Sequence, residues 1–214
     1  MARYSQINDA YWRRLELGEV TKAQLLPGRF ITLFDEYGIA YDACAEAHVG
    51  AGDMGRISVK AFLREYQEAL GSVFSYLDDS LTVCRTLRER AKVKQYVVTN
   101  GVSQTQRNKL KLSGFDEIME DFFISEEIGA PKPQKQFFDY CLSHVEERDR
   151  SRILLVGDSL TSDIKGGVQA GIATCWYRRE GNREGNLQGK RNDTPCQADY
   201  EISDLHKLYD VLEV

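Results

Sequence analysis

The chain has 214 residues, of which 42% are hydrophobic and 29% charged, as expected for a globular protein of one or two domains. Its formal net charge of -5 argues against nucleic acid as a general partner. A metal ion can still bring a phosphorylated ligand to an acidic protein. No apolar run approaches the roughly 20 residues of a membrane helix, and no apolar signal region follows the first residues. We therefore expect a cytoplasmic protein without a membrane partner.

The five cysteines are predicted to be reduced and structural. Their number is odd, no two have the C-x-x-C spacing, and Cys84, Cys141 and Cys175 lie within apolar segments. Such cysteines are most often buried thiols in a reducing compartment. None of the three histidines is spaced to pair with a cysteine, so the sequence does not indicate a thiol nucleophile.

The first 75 residues are predicted to be helical throughout. Apolar residues recur with helical spacing, most clearly at Phe30, Leu33, Phe34 and Tyr37. Thr21 is predicted to cap the N-terminus of this helix and Gly38 to follow its end. A third helix is predicted over Ser58–Leu70.

From about Asp79, short apolar strands alternate with helices. The predicted strands are Lys94–Thr99, Phe122–Ser125, Ile153–Gly157, Ala173–Tyr177 and Tyr200–Ile202. Ser203 is predicted to cap the last helix, and the polar stretch 178–199 to form a surface loop. The alternation is typical of an α/β fold with a parallel sheet and helices on both faces. Ligands of such sheets bind at the carboxyl ends of the strands.

The first polar strand end is Thr99-Asn100-Gly101. A strand that ends in a hydroxyl residue and turns into a helix can offer a hydroxyl and backbone N–H groups to an anion. The same three residues are also compatible with an ordinary turn.

The second polar segment places Lys132 between Pro131 and Pro133, just before a helix. The prolines restrict the backbone, so the lysine sits on a rigid turn and supplies a fixed positive charge suited to a phosphoryl group. An ordinary surface lysine is the alternative.

The third polar segment follows the apolar strand that ends at Gly157. Asp158 comes directly after it, and Asp163 follows five residues later. Carboxylates at a strand end suit a hard cation such as Mg²⁺. The alternative is a surface turn in which Asp158 caps a helix. Gly166 and Gly167, inside the next helix, indicate close packing or ligand access.

Together, these segments resemble motifs two, three and four of the haloacid dehalogenase (HAD) superfamily, in the right order and with compatible spacing. The segments VVTNG, SEEIGAPKP and VGDSLTSDI are most similar in sequence to the pyrimidine 5′-nucleotidase subfamily. The resemblance implies a HAD-like Rossmannoid α/β core at residues 79–214 and a small all-helical cap domain at residues 1–78.

The resemblance also implies an activity: Mg²⁺-dependent hydrolysis of a phosphate monoester, a nucleoside 5′-monophosphate, through an aspartyl-phosphate. Catalytic roles are implied for Thr99 and Lys132. Phosphate binding is implied for Thr99, Asn100, Gly101 and Lys132, and metal binding for Asp158 and Asp163.

Motif one of that family, an apolar strand ending in Asp-x-Asp-x-Thr ahead of the cap, is absent. Asp35 lies in a helical pattern and Asp9 has no strand before it, so neither is expected to be the nucleophile. We therefore expect an N-terminally incomplete chain that lacks a central strand and is inactive or weakly active as given. A sugar-phosphate or phosphoglycolate phosphatase, and a non-catalytic phosphate- or nucleotide-binding protein, are the alternatives.

Overall fold

The computed structural model describes residues 2–47, 55–178 and 197–214. The chain divides into two compact units: a helical unit, Met1–Leu70, and an α/β unit, Gly71–Val214. The domain boundary expected after residue 78 stays a prediction. Most of the loop predicted at 178–199 lies outside the described residues.

Helices dominate the first unit. Its helices are α1 (Ala2–Glu16), α2 (Lys22–Glu36) and α3 (Val59–Gly71), the last of which runs into the unit boundary. Two-residue strands β1 (Tyr41–Asp42) and β2 (Ile57–Ser58) pair in parallel. These strands differ from the predicted helix throughout this region, because two residues are too short for an alternating pattern to show.

Both ends of α2 agree with the sequence. The Thr21 side chain accepts a hydrogen bond from the Gln24 backbone N–H, and the Gln24 side chain accepts one from the Thr21 backbone N–H. This reciprocal arrangement is a capping box. Gly38 follows the end of α2 with a φ of +63°, a left-handed conformation that glycine adopts without strain.

Aromatic side chains form the core of the helical unit. Phe30 and Phe34 of α2 are buried with Val59 of α3. The ring centroid of Phe30 lies 4.9 Å from those of both Phe62 and Tyr66, with interplanar angles of 73° and 66°. These edge-to-face contacts are the arrangement that aromatic pairs favour.

The α/β unit alternates helices and strands as predicted. Its helices are α4 (Ser80–Glu89), α5 (Ser103–Leu112), α6 (Ser125–Ile128), α7 (Lys135–His144), α8 (Lys165–Ala170) and α9 (Leu208–Val211). Its strands are β3 (Tyr96–Thr99), β4 (Asp121–Ile124), β5 (Leu154–Gly157), β6 (Ala173–Tyr177) and β7 (Tyr200–Ile202). Asp204, not Ser203, caps the final helical segment, since its carboxylate accepts from the His206 N–H.

All strand pairs of this unit are parallel. β3 pairs with β4, while β5 pairs with β6 and β6 with β7. Within the described residues no backbone pairing joins β3 to β5. Each of these two strands therefore has one edge without a described strand partner.

Side chains of β5 alternate between two apolar clusters. Leu155 belongs to a cluster with Phe137 and Phe138 of α7. Its neighbours Leu154 and Val156 pack against the other cluster, which includes residues of α4 and α9. Successive residues of a strand point to opposite faces, so helices cover both faces of the sheet. The predicted α/β fold class is confirmed. In the part of the chain that the structure describes, no helix combines the length and apolar character that a membrane crossing requires.

Candidate active site

Lys132 is a buried cation between the ends of β3 and β5. Its residue is 7% exposed, and its Nζ donates to Asp163 Oδ1 at 2.6 Å and to the Val98 carbonyl oxygen at 3.1 Å. The hydrogen-bonded carboxylate compensates the buried charge. The amine is consequently held at the carboxyl end of β3, where the sequence predicted a phosphate site.

Asn100 holds the backbone of Lys132 from both sides. Its Oδ1 accepts from the Lys132 N–H at 2.8 Å, and its Nδ2 donates to the Lys132 carbonyl at 3.0 Å. The family resemblance implies phosphate binding for Asn100, whereas its amide oxygen and nitrogen both bond the lysine backbone. This clamp joins two segments that are 32 residues apart.

The turn after β3 is ordered by the Thr99 hydroxyl, which accepts from the Gly101 N–H at 3.0 Å. A hydroxyl that accepts one bond still has its own hydrogen to donate to a ligand oxygen. At the start of α5, the Ser103 N–H donates to Glu126 Oε2 at 2.7 Å. Thr99 is therefore available to an anion, while the first N–H of α5 already has an acidic partner.

Asp163 connects Lys132 with the loop after β5. Its Oδ1 accepts from Lys132, and its Oδ2 accepts from the Ser159 N–H at 3.2 Å. The surrounding turn, Leu160–Ile164, is a π-helical turn, a form frequent at functional sites. A Cβ atom at Gly157 would overlap the Asp163 side chain, so the glycine allows this close approach.

Asp158 lies exposed after β5, and Trp176 of β6 fixes its backbone. The indole Nε1 donates to the Asp158 carbonyl oxygen at 3.1 Å. The sequence does not indicate this role of Trp176, because the residue is 18 positions away from Asp158 and appears only as one residue of an apolar strand.

The carboxylates of this region differ in their fitness for Mg²⁺. No group of three or more His, Cys, Asp or Glu residues in the described ranges is arranged to hold a metal ion. Mg²⁺ is often bound by one or two carboxylates together with waters and substrate phosphate oxygens. The exposed Asp158 fits as one such ligand, whereas both oxygens of Asp163 accept hydrogen bonds from the protein.

The cysteines of this unit are buried or partly buried, as predicted. Burial raises the pKa of Cys141 to about 12, although the nearby charge of Lys132 opposes this. Burial also raises the pKa of Cys84 and of Cys175 to about 11. These thiols are therefore neutral at physiological pH and unsuited to nucleophilic attack. Cys44 is exposed, and Cys196 lies outside the described residues.

A family model supports the motif assignment: haloacid dehalogenase-like hydrolase matches residues 5–171. The chain belongs to the haloacid dehalogenase-like hydrolases. A HAD-hydrolase of Bacillus subtilis (strain 168), YfnB, is 33% identical over 213 residues, covering 100% of this chain and 80% of YfnB.

Two further relatives of the present chain are named for pyrimidine 5′-nucleotidase activity. YjjG of Escherichia coli (strain K12) is 29% identical over 209 residues, covering 98% of this chain and 80% of YjjG. PynA of Streptococcus pneumoniae (strain ATCC BAA-255 / R6) is 30% identical over 210 residues, covering 98% of this chain and 78% of PynA.

The fold agrees with this membership. A crystal structure of YfnB bound to magnesium superposes with a TM-score of 0.79 at 31% identity, covering 100% of this chain and 82% of that one. The roles of the individual site residues are inferred from their hydrogen bonds and burial.

Proposed function

We propose that this HAD hydrolase is a Mg²⁺-dependent phosphatase whose substrate is a nucleoside 5′-monophosphate. We also propose that it acts in the cytoplasm. The observation that carries the proposal is Lys132, a buried ammonium group held at the strand ends by Asp163, Val98 and Asn100. Such a fixed positive charge needs no rearrangement when charge develops on a phosphoryl group.

In this proposal the strand-end residues divide the work on the phosphate. The Thr99 hydroxyl donates to a phosphoryl oxygen, with Gly101 beside it. Lys132 neutralises negative charge on the phosphoryl group, and Asp163 keeps the ammonium group in position. Asp158 ligates Mg²⁺, which when bound stabilises charge on the phosphoryl oxygens.

The proposed nucleophile is an aspartate on a strand between β3 and β5. Support comes from these two strands, each of which has one edge without a strand partner in the described ranges and runs parallel to its paired neighbour. A central parallel strand there would bring its carboxyl end beside Lys132. No strand of the described residues occupies this position, and we expect the 214-residue chain to bind phosphate better than it turns substrate over.

The nucleotide is proposed on the strength of two relatives. YjjG and PynA carry the name pyrimidine 5′-nucleotidase and match nearly the whole chain, including the helical unit. The strand-end residues act only on the phosphoryl group, which all phosphate monoesters share.

Phosphate release tests the proposal. The protein is incubated with Mg²⁺ and a panel of nucleoside 5′-monophosphates, sugar phosphates and phosphoglycolate. We expect slow release of phosphate, fastest from a pyrimidine nucleotide. Preference for a sugar phosphate or phosphoglycolate would refute the nucleotide assignment, and binding of these compounds without any release of phosphate would refute catalysis.

Asp158→Ala is the matched test of the metal assignment, with Asp139→Ala as control. Asp139 is an exposed aspartate whose carboxylate binds Lys135, on helix α7. Asp158→Ala is expected to abolish Mg²⁺-stimulated release, and Asp139→Ala to leave it unchanged. Mg²⁺-stimulated turnover by Asp158→Ala would contradict the assigned role.

A further inference from the structure

Arg29 is a buried cation of the helical unit that no described carboxylate neutralises. Its residue is 3% exposed. None of the ion pairs within 4.0 Å in the described residues includes Arg29. Buried charges in proteins are normally paired, because removing an ion from water is costly. The helical unit thus contains a guanidinium whose charge calls for a negative partner.

The hydrogen bonds of Arg29 leave a specific donor unused. Its Nη1 donates to Asn8 Oδ1 at 2.7 Å. Its Nε is buried and has no hydrogen-bond partner, and it is the one such side-chain atom among the described residues. Nε lies on the edge of the guanidinium that binds two oxygens of a carboxylate or phosphate at once.

The neighbours of the guanidinium stabilise its charge without supplying an acceptor to Nε. Its carbon lies 4.9 Å from the ring centroid of Phe30 and 5.2 Å from that of Tyr66, within the range of cation–π attraction. The neutral Asn8 Oδ1 is shared, since it also accepts from Trp12 Nε1 at 3.2 Å. The guanidinium is therefore held in place, while its Nε has no hydrogen-bond acceptor among the described residues.

We propose that the helical unit binds a small oxyanion at Arg29, the carboxylate or phosphate group of a metabolite. The anion accepts from Nε and offsets the guanidinium charge. Asn8 and Tyr66, which contact the guanidinium, are both partly exposed, and the proposed route of the anion to Nε passes these two side chains. The site rests on contacts within the helical unit and does not depend on the proposed phosphatase activity.

Trp12 provides the test, since the chain has only two tryptophans, Trp12 and Trp176. In a Trp176→Phe background, Trp12 emission is followed while phosphate, and separately acetate, replaces chloride at constant ionic strength. A saturable change with at least one anion is expected. The arm that responds distinguishes a phosphate ligand from a carboxylate ligand. Emission identical to that in chloride, in both arms, overturns the proposal.

Two variants locate the response. Asn8→Asp places an internal carboxylate beside Arg29. Because this carboxylate competes with the anion, the affinity for the anion is expected to fall at least about tenfold, which is about 1.4 kcal/mol of binding free energy. Arg29→Met is expected to abolish the response. Because Arg29→Met removes a core residue, Asn8→Asp keeps the test valid if that variant fails to fold. An unchanged anion affinity in Asn8→Asp would contradict the site.

Controls separate this site from other cations. Arg14→Met removes an exposed arginine that also lies over a ring, that of Tyr11 at 5.2 Å, and is expected to retain the full response. Lys132→Met removes the cation of the strand-end site and is likewise expected to retain it. Loss of the Trp12 response in either control would show that the anion acts elsewhere.

Discussion

Among the described residues, each unit of the protein buries one cation, and the two are stabilised differently. Lys132 of the α/β unit bonds the Asp163 carboxylate at 2.6 Å, and Asn100 fixes its backbone. Arg29 of the helical unit has one neutral amide partner and two aromatic rings. The first charge is compensated and rigidly placed, as a group that acts on a phosphoryl centre requires. The second is held by rings and lacks a counter-charge.

This difference predicts responses to mutation that differ in size. Removing one member of a buried ion pair leaves the other charge unpaired and is strongly destabilising. Removing a buried charge that has no partner also removes the cost of burying it. The two sites can therefore be compared by substituting each cation with methionine, which preserves much of the apolar stem.

Lys132→Met is expected to have the largest effect, a loss of about 3–5 kcal/mol in the free energy of unfolding, because Asp163 stays buried without its cation. Urea unfolding followed by circular dichroism measures it. The control is Lys135→Met, whose exposed pair with Asp139 contributes at most about 0.5 kcal/mol. Equal losses in both variants would show that burial of the Lys132 pair does not matter.

Gly157→Ala is expected to cost about 1–3 kcal/mol, since the new methyl group would overlap Asp163 and displace the partner of Lys132. The same unfolding measurement applies. Gly71→Ala is the control, because there the nearest atom would be 3.4 Å from the new Cβ. If Gly157→Ala were as stable as the wild type, the close approach of Asp163 to β5 would be wrong.

Trp176→Phe keeps a ring but removes the N–H that binds the Asp158 carbonyl, a loss of about 1 kcal/mol. Under the proposed function it also lowers Mg²⁺ affinity, as measured by isothermal titration calorimetry. Trp12→Phe, which removes an N–H bond to Asn8 in the helical unit, is the control and should bind Mg²⁺ normally. Identical Mg²⁺ affinity in both variants would remove Trp176 from the site.

Arg29→Met is expected to change the free energy of unfolding by less than about 1 kcal/mol, because lost cation–π contacts offset the relief of burying an unpaired charge. Urea unfolding in chloride buffer, with Arg14→Met as the exposed control, measures this. A loss as large as that of Lys132→Met would mean that Arg29 has a strong partner in the free protein, and the comparison would fail.

One further effect appears only at alkaline pH and arises in the α/β unit. Burial raises the thiol pKa of Cys141 to about 12 and of Cys175 to about 11, both in the α/β unit. A raised folded-state pKa stabilises the fold fully below the ordinary thiol pKa, and this contribution declines as pH rises from about 9 towards those values. Urea midpoints measured between pH 8 and pH 10.5 should fall less in a Cys141→Ala variant than in the wild type. Parallel curves would contradict a thiol contribution.

Local patterns in the sequence were sufficient for much of the fold. The capping box at Thr21 uses residues three apart, and the run 153–157 predicted β5 to within one residue. The polar residues after β3 and β5, with Lys132 between them, also indicated the family. Each of these features depends on neighbours along the chain, which is the information that one sequence contains.

Tertiary structure decided which groups meet. Asn100 bonds the backbone of Lys132, and Trp176 bonds that of Asp158, across 32 and 18 residues. The sequence indicates only that Arg29 lies in a helix. The structure shows that Phe30 and Tyr66 surround its guanidinium. The sequence by itself determined the order of the strands of the α/β unit and the residue types at their ends. Only packing of distant segments decided which buried charge obtained a counter-ion, because that depends on contacts which no local pattern encodes.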